Sequence, residues 1–251
     1  MSDRNAAPSA PVRPRALTSP LVVAIDGPSG SGKSSTARGV AQKLGLAFLD
    51  TGAMYRAATW LVLHSEVAVS DTAAVAALVE SADIAVELDP GHQAVSINGT
   101  DVTEAIREPV VSAAVSSVAT NLAVRANLVA RQQQIIATAE QGIVAEGRDI
   151  TTVVAPEAPV RVLLVADPSA RVARRQAELG QRVTNADVTD QVIRRDRDDS
   201  TVAQFTEAAE GVVVVDSTHL TLAEVIDRIA DLAQPAQQTA SAGAGSSVVS
   251  R

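Results

Sequence analysis

Between Gly27 and Ser34 the chain reads GPSGSGKS, matching the spacing G-x-x-x-x-G-K-S/T at every fixed position. The chemistry of that spacing is phosphate binding. Its glycines let the chain curl so that successive N–H groups point inward around phosphate oxygens, and a helix starting near Lys33 adds the positive end of its dipole. The Lys33 ammonium would reach the β- and γ-phosphates, and the Ser34 hydroxyl would complete a Mg2+ shell with water and phosphate oxygens. Gly27, Pro28, Ser29, Gly30, Ser31, Gly32, Lys33, Ser34 and Ser35 are therefore expected to hold a nucleoside triphosphate. The competing reading, a glycine-rich turn that only joins strand to helix, is weak because the motif falls between an apolar run and a helical pattern.

Three further polar segments carry reactive groups: DTGAMYR (50–56), EGRDI (146–150) and IRRDRDDST (193–201). Passing a phosphoryl group to a small molecule requires an acceptor pocket and cationic cover, since its catalysis is mainly positioning and electrostatics. The first segment reads as a short polar turn after a strand, at the strand ends where an acceptor would lie across from the phosphate loop. The second presents Arg148 and Asp149 at the same edge, and the third concentrates Arg194, Arg195 and Arg197. Each also admits a plainer role: Arg56 as a surface helix residue, Arg148 and Asp149 as a turn-capping ion pair, and 194–199 as a solvated, self-paired helix face.

The elements that must position these groups follow from the apolar pattern. LVVAID (21–26), LAFLD (46–50), GIVAEG (142–147), VRVLLVA (160–166) and GVVVVD (211–216) read as buried strands. Helical patterns cover Lys33 to Leu44, ended by Gly45, and 71–82, 105–119, 121–140, 168–179, 186–199 and 221–233. Strands alternating with helices argue an α/β fold whose parallel sheet is covered on both faces. IAVELD, AVSING and TDVT alternate apolar and polar residues between the turns PGHQ and NGT, predicting a small antiparallel meander that interrupts the α/β order. Residues 1–20 and 234–251 are expected to be disordered tails around one domain, 21–233, with an insert at about 66–118 and a lid at about 180–206.

Composition narrows the function. The 251 residues include no cysteine, which excludes disulfides, thiolate zinc sites and cysteine nucleophiles, and only three histidines. A net charge of −8 argues against a nucleic-acid polymer as partner, so an anionic ligand must be met by a local cationic cluster. That cluster must be arginine-based, because Lys33 and Lys43 are the only lysines. The N-terminal segment lacks the apolar run of a secretory signal and no apolar stretch is long enough to span a membrane, so a soluble cytoplasmic protein is expected, with a monomer as the default assembly. A nucleotide-dependent switch should show a guanine-reading N-K-x-D segment, and none is present. A small-molecule kinase is the better reading.

Taken in order, IDGPSGSGKSS, LDTGAMYRA, the meander, EGRDITTVV with the PEAPV that follows, and DST with LTLAEVI resemble the bacterial cytidylate kinases, over roughly residues 21–233. The resemblance implies a P-loop core with a monophosphate-binding insert and a mobile arginine-bearing lid, passing the ATP γ-phosphate to CMP or dCMP with Mg2+. It implies that Thr51, Arg56 and Arg148 hold the acceptor phosphate, that Ser116, Arg125 and Asp149 read cytosine, and that Asp199 contacts the ribose. Lys33, Arg194 and Arg197 would stabilise the transferring group. Other acceptors such as UMP, AMP or shikimate, or a binding module with weakened turnover, are the alternatives. One departure stands out: the family pattern D-S-T-R is here D-S-T-V, with Val202 in place of an arginine expected to reach the phosphates.

Overall fold

A computed structural model describes residues 20–179, 194 and 196–244, with side chains described for 20–177, 194 and 196–236. The expected tail 1–19, Arg195, the end of the chain from 245 and most of the expected lid helix (180–193) lie outside the described residues.

The described strands form a parallel sheet and a smaller antiparallel one. The parallel sheet contains β1 (Val22–Asp26), β2 (Ala47–Asp50), β6 (Ile143–Gly147), β7 (Val160–Val165) and β8 (Val213–Asp216), ordered β2-β6-β1-β7-β8. Alternate residues of a strand point to opposite faces, so this sheet has two cores. Val23 and Ile25 face α1 (Lys33–Leu44) and the last helix, meeting Val40, Ala41, Val225 and Ile229. Ala24, Leu49 and Ala145 face the other way, toward α2 (Thr51–Leu63), α4 (Pro109–Ala119) and α5 (Leu122–Thr138), with Met54, Val115 and Leu128. Gly39 lets α1 approach the last helix closely: a Cβ there would sit 2.2 Å from the Ile226 side chain.

Between α2 and α4 the chain forms α3 (Thr72–Ser81) and the meander β3 (Ile84–Val86), β4 (Val95–Ile97) and β5 (Thr100–Asp101). Asn98 and Gly99 turn β4 into β5 with φ of 51° and 76°, the two positive values of a type I′ hairpin turn. Ile84, Val95 and Ile97 pack into the α2 side of the core.

Three sequence expectations are corrected. DTGAMYR is not a turn but the first two turns of α2, because the Asp50 side chain accepts from Ala53 N at 2.9 Å and caps the helix. The helix expected over 105–119 is broken: a 3-10 turn covers Ala105–Arg107, and α4 restarts with Pro109 in its first turn, where a missing N–H costs nothing. The last helix, α7, runs Leu222–Ala244 rather than ending at 233. Its extension is rich in alanine and glutamine, both good helix formers, and Ala233 and Ala236 still pack against the sheet-side core. The remaining described helix of the core is α6 (Pro168–Leu179). No described helix is long and apolar enough to cross a membrane.

Candidate active site

At the carboxyl edge of the parallel sheet, the β1–α1 turn, the start of α2, α4, α5, the turn after β6, and α6 enclose a cleft of about 150 Å³ open to solvent. One wall is the phosphate loop. Ser29, Gly30, Gly32, Lys33, Ser34 and Ser35 line the cleft, and Gly30 and Gly32 adopt φ of 75° and 88°, which only glycine reaches without strain. Gly27, Pro28 and Ser31 lie behind this lining. A Cβ at Gly27 would come within 2.4 Å of Leu164 O, so the loop's entry tolerates no side chain. Lys33 Nζ donates to Pro28 O at 3.3 Å, across the loop's own opening.

Behind Lys33 and Ser34 lie a buried carboxyl, Glu146, and a half-buried one, Asp50, at the ends of adjacent strands. Ser34 Oγ donates to Glu146 Oε1 at 2.6 Å, and Arg56 Nη2 donates to Asp50 Oδ2 at 2.8 Å. Burial, reinforced by the charge of Asp50, pushes Glu146 up to about 7, with Lys33 and Ser34 pulling against it. Burial acts on Asp50 in the same sense, yet the Arg56 charge and the Ala53 N–H outweigh it and hold this carboxyl below its ordinary value. These hard oxygens beside a serine hydroxyl are the donor chemistry that suits Mg2+.

The opposite wall gathers most of the expected acceptor residues. Thr51, Arg56, Arg125, Arg148, Asp149 and Asp199 all line the cleft. Thr51 Oγ1 donates to Glu146 O at 2.8 Å, which ties α2 to β6. Arg125 forms an ion pair with Asp149 and lies 5.8 Å from the Tyr55 ring centroid. Burial raises the Asp149 carboxyl, while Arg125 pulls it down. Arg148 is held by Asp199 at 2.8 Å and Asp196 at 3.1 Å, with its guanidinium 4.6 Å from the centre of the Phe205 ring. Tyr55 also lines the cleft, and burial pushes its hydroxyl up to about 12 against the pull of Arg125.

Other expected residues are not brought to this surface. Ser116 is buried on α4, and its neighbours Val115 and Ala119 line the cleft instead. Arg194 and Arg197 lie outside the cleft: each pairs with Asp198, at 3.9 and 3.4 Å, and the Arg197 side chain is 76% exposed. Both pair with the same local acid within one turn. Two acids of the run, Asp196 and Asp199, face inward instead. Asp196 accepts from Ser29 N at 2.9 Å and pairs with Arg171, while Asp199 is buried. Val202 is half-buried and its N–H donates to Asp199 O at 3.2 Å, while Ala203 lines the cleft.

Sequence reasoning missed the arginines of α6. Arg171 donates to Ser29 O at 3.0 Å, Arg174 to Ser31 O at 3.2 Å, and Arg175 lines the cleft. Their spacing of three and four places them on one helix face, so the signal was legible in ARVARR. It also missed Glu146 and Asp26, buried acids at the ends of β6 and β1.

The family model described as Cytidylate kinase matches residues 23–235. A cytidylate kinase of Cutibacterium acnes is 58% identical over 217 residues, covering 86% of this chain and 96% of that protein. One from Streptomyces avermitilis is 41% identical over 215 residues, covering 85% of this chain and 93% of that protein. One from Nocardia farcinica is 44% identical over 228 residues, covering 89% and 97%. A phosphate loop facing an arginine- and acid-lined wall on a parallel sheet thus sits in a chain that matches the family model and these three cytidylate kinases along nearly the whole described length: the chain belongs to the cytidylate kinase family.

Proposed function

We propose that the chain transfers the γ-phosphoryl group of ATP to CMP or dCMP, giving ADP and CDP or dCDP. The observation that carries this reading is a single cleft with a phosphate loop on one wall and the Arg125–Asp149 pair, with Arg56 and Arg148, on the other. Cytosine offers the N4 amino group as a donor and O2 and N3 as acceptors, which suits a carboxylate beside a guanidinium. Uracil offers an acceptor at C4, which Asp149 would repel.

In this reading Thr51, Arg56 and Arg148 hold the acceptor phosphate and Asp199 the ribose. Arg148 must then exchange its bonds to Asp196 and Asp199, wholly or in part, for bonds to substrate. An oxygen of the acceptor phosphate attacks the γ-phosphorus in line, and the bond to the β–γ bridging oxygen breaks. That acceptor oxygen is already ionised at neutral pH, so no general base is assigned. Lys33 and Arg175 neutralise charge on the transferring group, Arg175 taking the place expected of Arg194 and Arg197. Mg2+ bound with ATP supplies further charge neutralisation, and Ser34, with Glu146 beside it, would hold it. We propose further that the chain acts on free nucleotides in the cytoplasm as a monomer.

A coupled ADP-release assay with CMP, dCMP, UMP, AMP and shikimate tests the assignment. CMP and dCMP should give turnover well above the rest. Preference for UMP, AMP or shikimate would reject it, as would ADP release indifferent to the acceptor.

A further inference from the structure

Asp26 is the last residue of β1, immediately before the phosphate loop, and it is 1% exposed. None of the roles above uses it. Its carboxylate is fully engaged: Oδ1 accepts from Ile150 N at 2.9 Å, and Oδ2 accepts from Thr151 N at 2.8 Å and from Thr151 Oγ1 at 2.6 Å. Ile150 and Thr151 open a single π-helical turn, Ile150–Val154. The first N–H groups of any helical turn lack partners within it, and here a side chain 124 positions earlier supplies them.

The same residue also holds the chain on the other side of the acceptor turn. In the β1–β6 register Asp26 is the partner of Gly147. Arg148 and Asp149 therefore lie between two attachments to one residue, Gly147 through the strand pairing and Ile150–Thr151 through the carboxylate. The packing leaves little slack: a Cβ on Gly147 would sit 2.5 Å from Thr51 Oγ1 and 2.8 Å from Ile150 Cδ1. Asp26 is joined directly to Gly27, so the fixture that sets Arg148 and Asp149 also sets where the phosphate loop begins.

We infer that Asp26 is a positioning residue for acceptor selection, clamping the Arg148–Asp149 turn at a fixed distance from the phosphate loop through its bonds to Ile150 and Thr151. The inference rests on the proposed cytosine-reading role of Asp149. A carboxylate is required because three donors converge on it. Asparagine has one acceptor oxygen and would turn an amino group toward at least one donor, releasing one end of the turn. A displacement of about 1 Å at such a site can cost on the order of 10²-fold in rate.

The experiment compares steady-state kinetics of wild type, Asp26→Asn, Thr151→Val and Thr151→Ser at pH 8, with CMP and UMP as acceptors and with ATP varied. Thr151→Val removes only the hydroxyl bond at constant shape, and keeps the question decidable if Asp26→Asn does not fold. Asp26→Asn should raise KM for CMP about tenfold and narrow the CMP-to-UMP preference about tenfold, with KM for ATP changed less than twofold. Thr151→Val should move the same two quantities about threefold, and Thr151→Ser should restore them. A purely structural role would lower the active fraction and leave the preference intact. An unchanged CMP-to-UMP preference in folded variants, or equal rises in KM for CMP and ATP, would overturn the inference. Wild-type protein that does not prefer CMP in the same assay would instead overturn the functional reading beneath it.

Discussion

Arg125 Nη2 donates to Asp149 Oδ2, joining the first turn of α5 to the turn after β6, with both side chains largely buried. The Asp149 carboxylate is thus committed in part to the guanidinium, and the residue lines the cleft. Asp149→Asn should therefore weaken discrimination more than catalysis. The amide can present a donor toward a C4 oxygen, so the ratio of kcat/KM for CMP over UMP should fall at least tenfold, or about 1.4 kcal/mol. Competition kinetics with both acceptors would measure it. An unchanged ratio would leave the pair as an ion pair of the scaffold.

Phe205 is fully buried and supports the Arg148 guanidinium from below. Truncating it removes core packing and the aromatic face together. Phe205→Ala should lower stability in urea denaturation by about 3 kcal/mol, within the usual range for such cavities. It should also raise KM for CMP severalfold, because Arg148 loses a wall of its seat. A stability loss with unchanged KM would show that Asp196 and Asp199 alone hold Arg148.

Burial pushes the Asp26 carboxyl from 3.8 up to about 6, although the bonds from Thr151 and Ile150 pull it down. Over that interval the folded protein keeps a proton that the unfolded chain has released. The contribution of this group to stability is therefore complete below its unfolded value and is lost as pH rises through about 6. The stability of wild type relative to Asp26→Asn should fall by roughly 1–1.5 kcal/mol between about pH 5 and 7.5 in paired denaturation curves. A difference that stays flat, or grows with pH, would show that the three donors hold Asp26 ionised throughout.

The parts of this fold that local pattern dictates were legible in the sequence. The apolar runs mark the five strands, the Asn98–Gly99 dipeptide marks the hairpin, and Gly45 ends α1 in the left-handed conformation that glycine favours. The phosphate loop was legible for the same reason, since its geometry is set by its own glycines. What escaped depends on distant partners. The π-helical turn at Ile150–Val154 is organised by Asp26, and the α6 arginines matter only because that helix packs beneath the loop. In the run 194–199 the sequence reading puts Arg194, Arg197 and Asp199 at the site, and of these only Asp199 lines the cleft. Sequence carries both charges but not the rotational phase of the turn, and one residue of phase exchanges inward for outward.

In the proposed reaction Lys33 of the phosphate loop drives phosphoryl transfer to the nucleotide on the opposite wall. A single-turnover experiment with ATP labelled in the γ-phosphate and excess CMP decides it. The label should appear in the β-phosphate of CDP, and a folded Lys33→Ala variant should form that product about 10²–10³ times more slowly. Label released as inorganic phosphate without CDP, or CDP formed by Lys33→Ala at the wild-type rate, would contradict it.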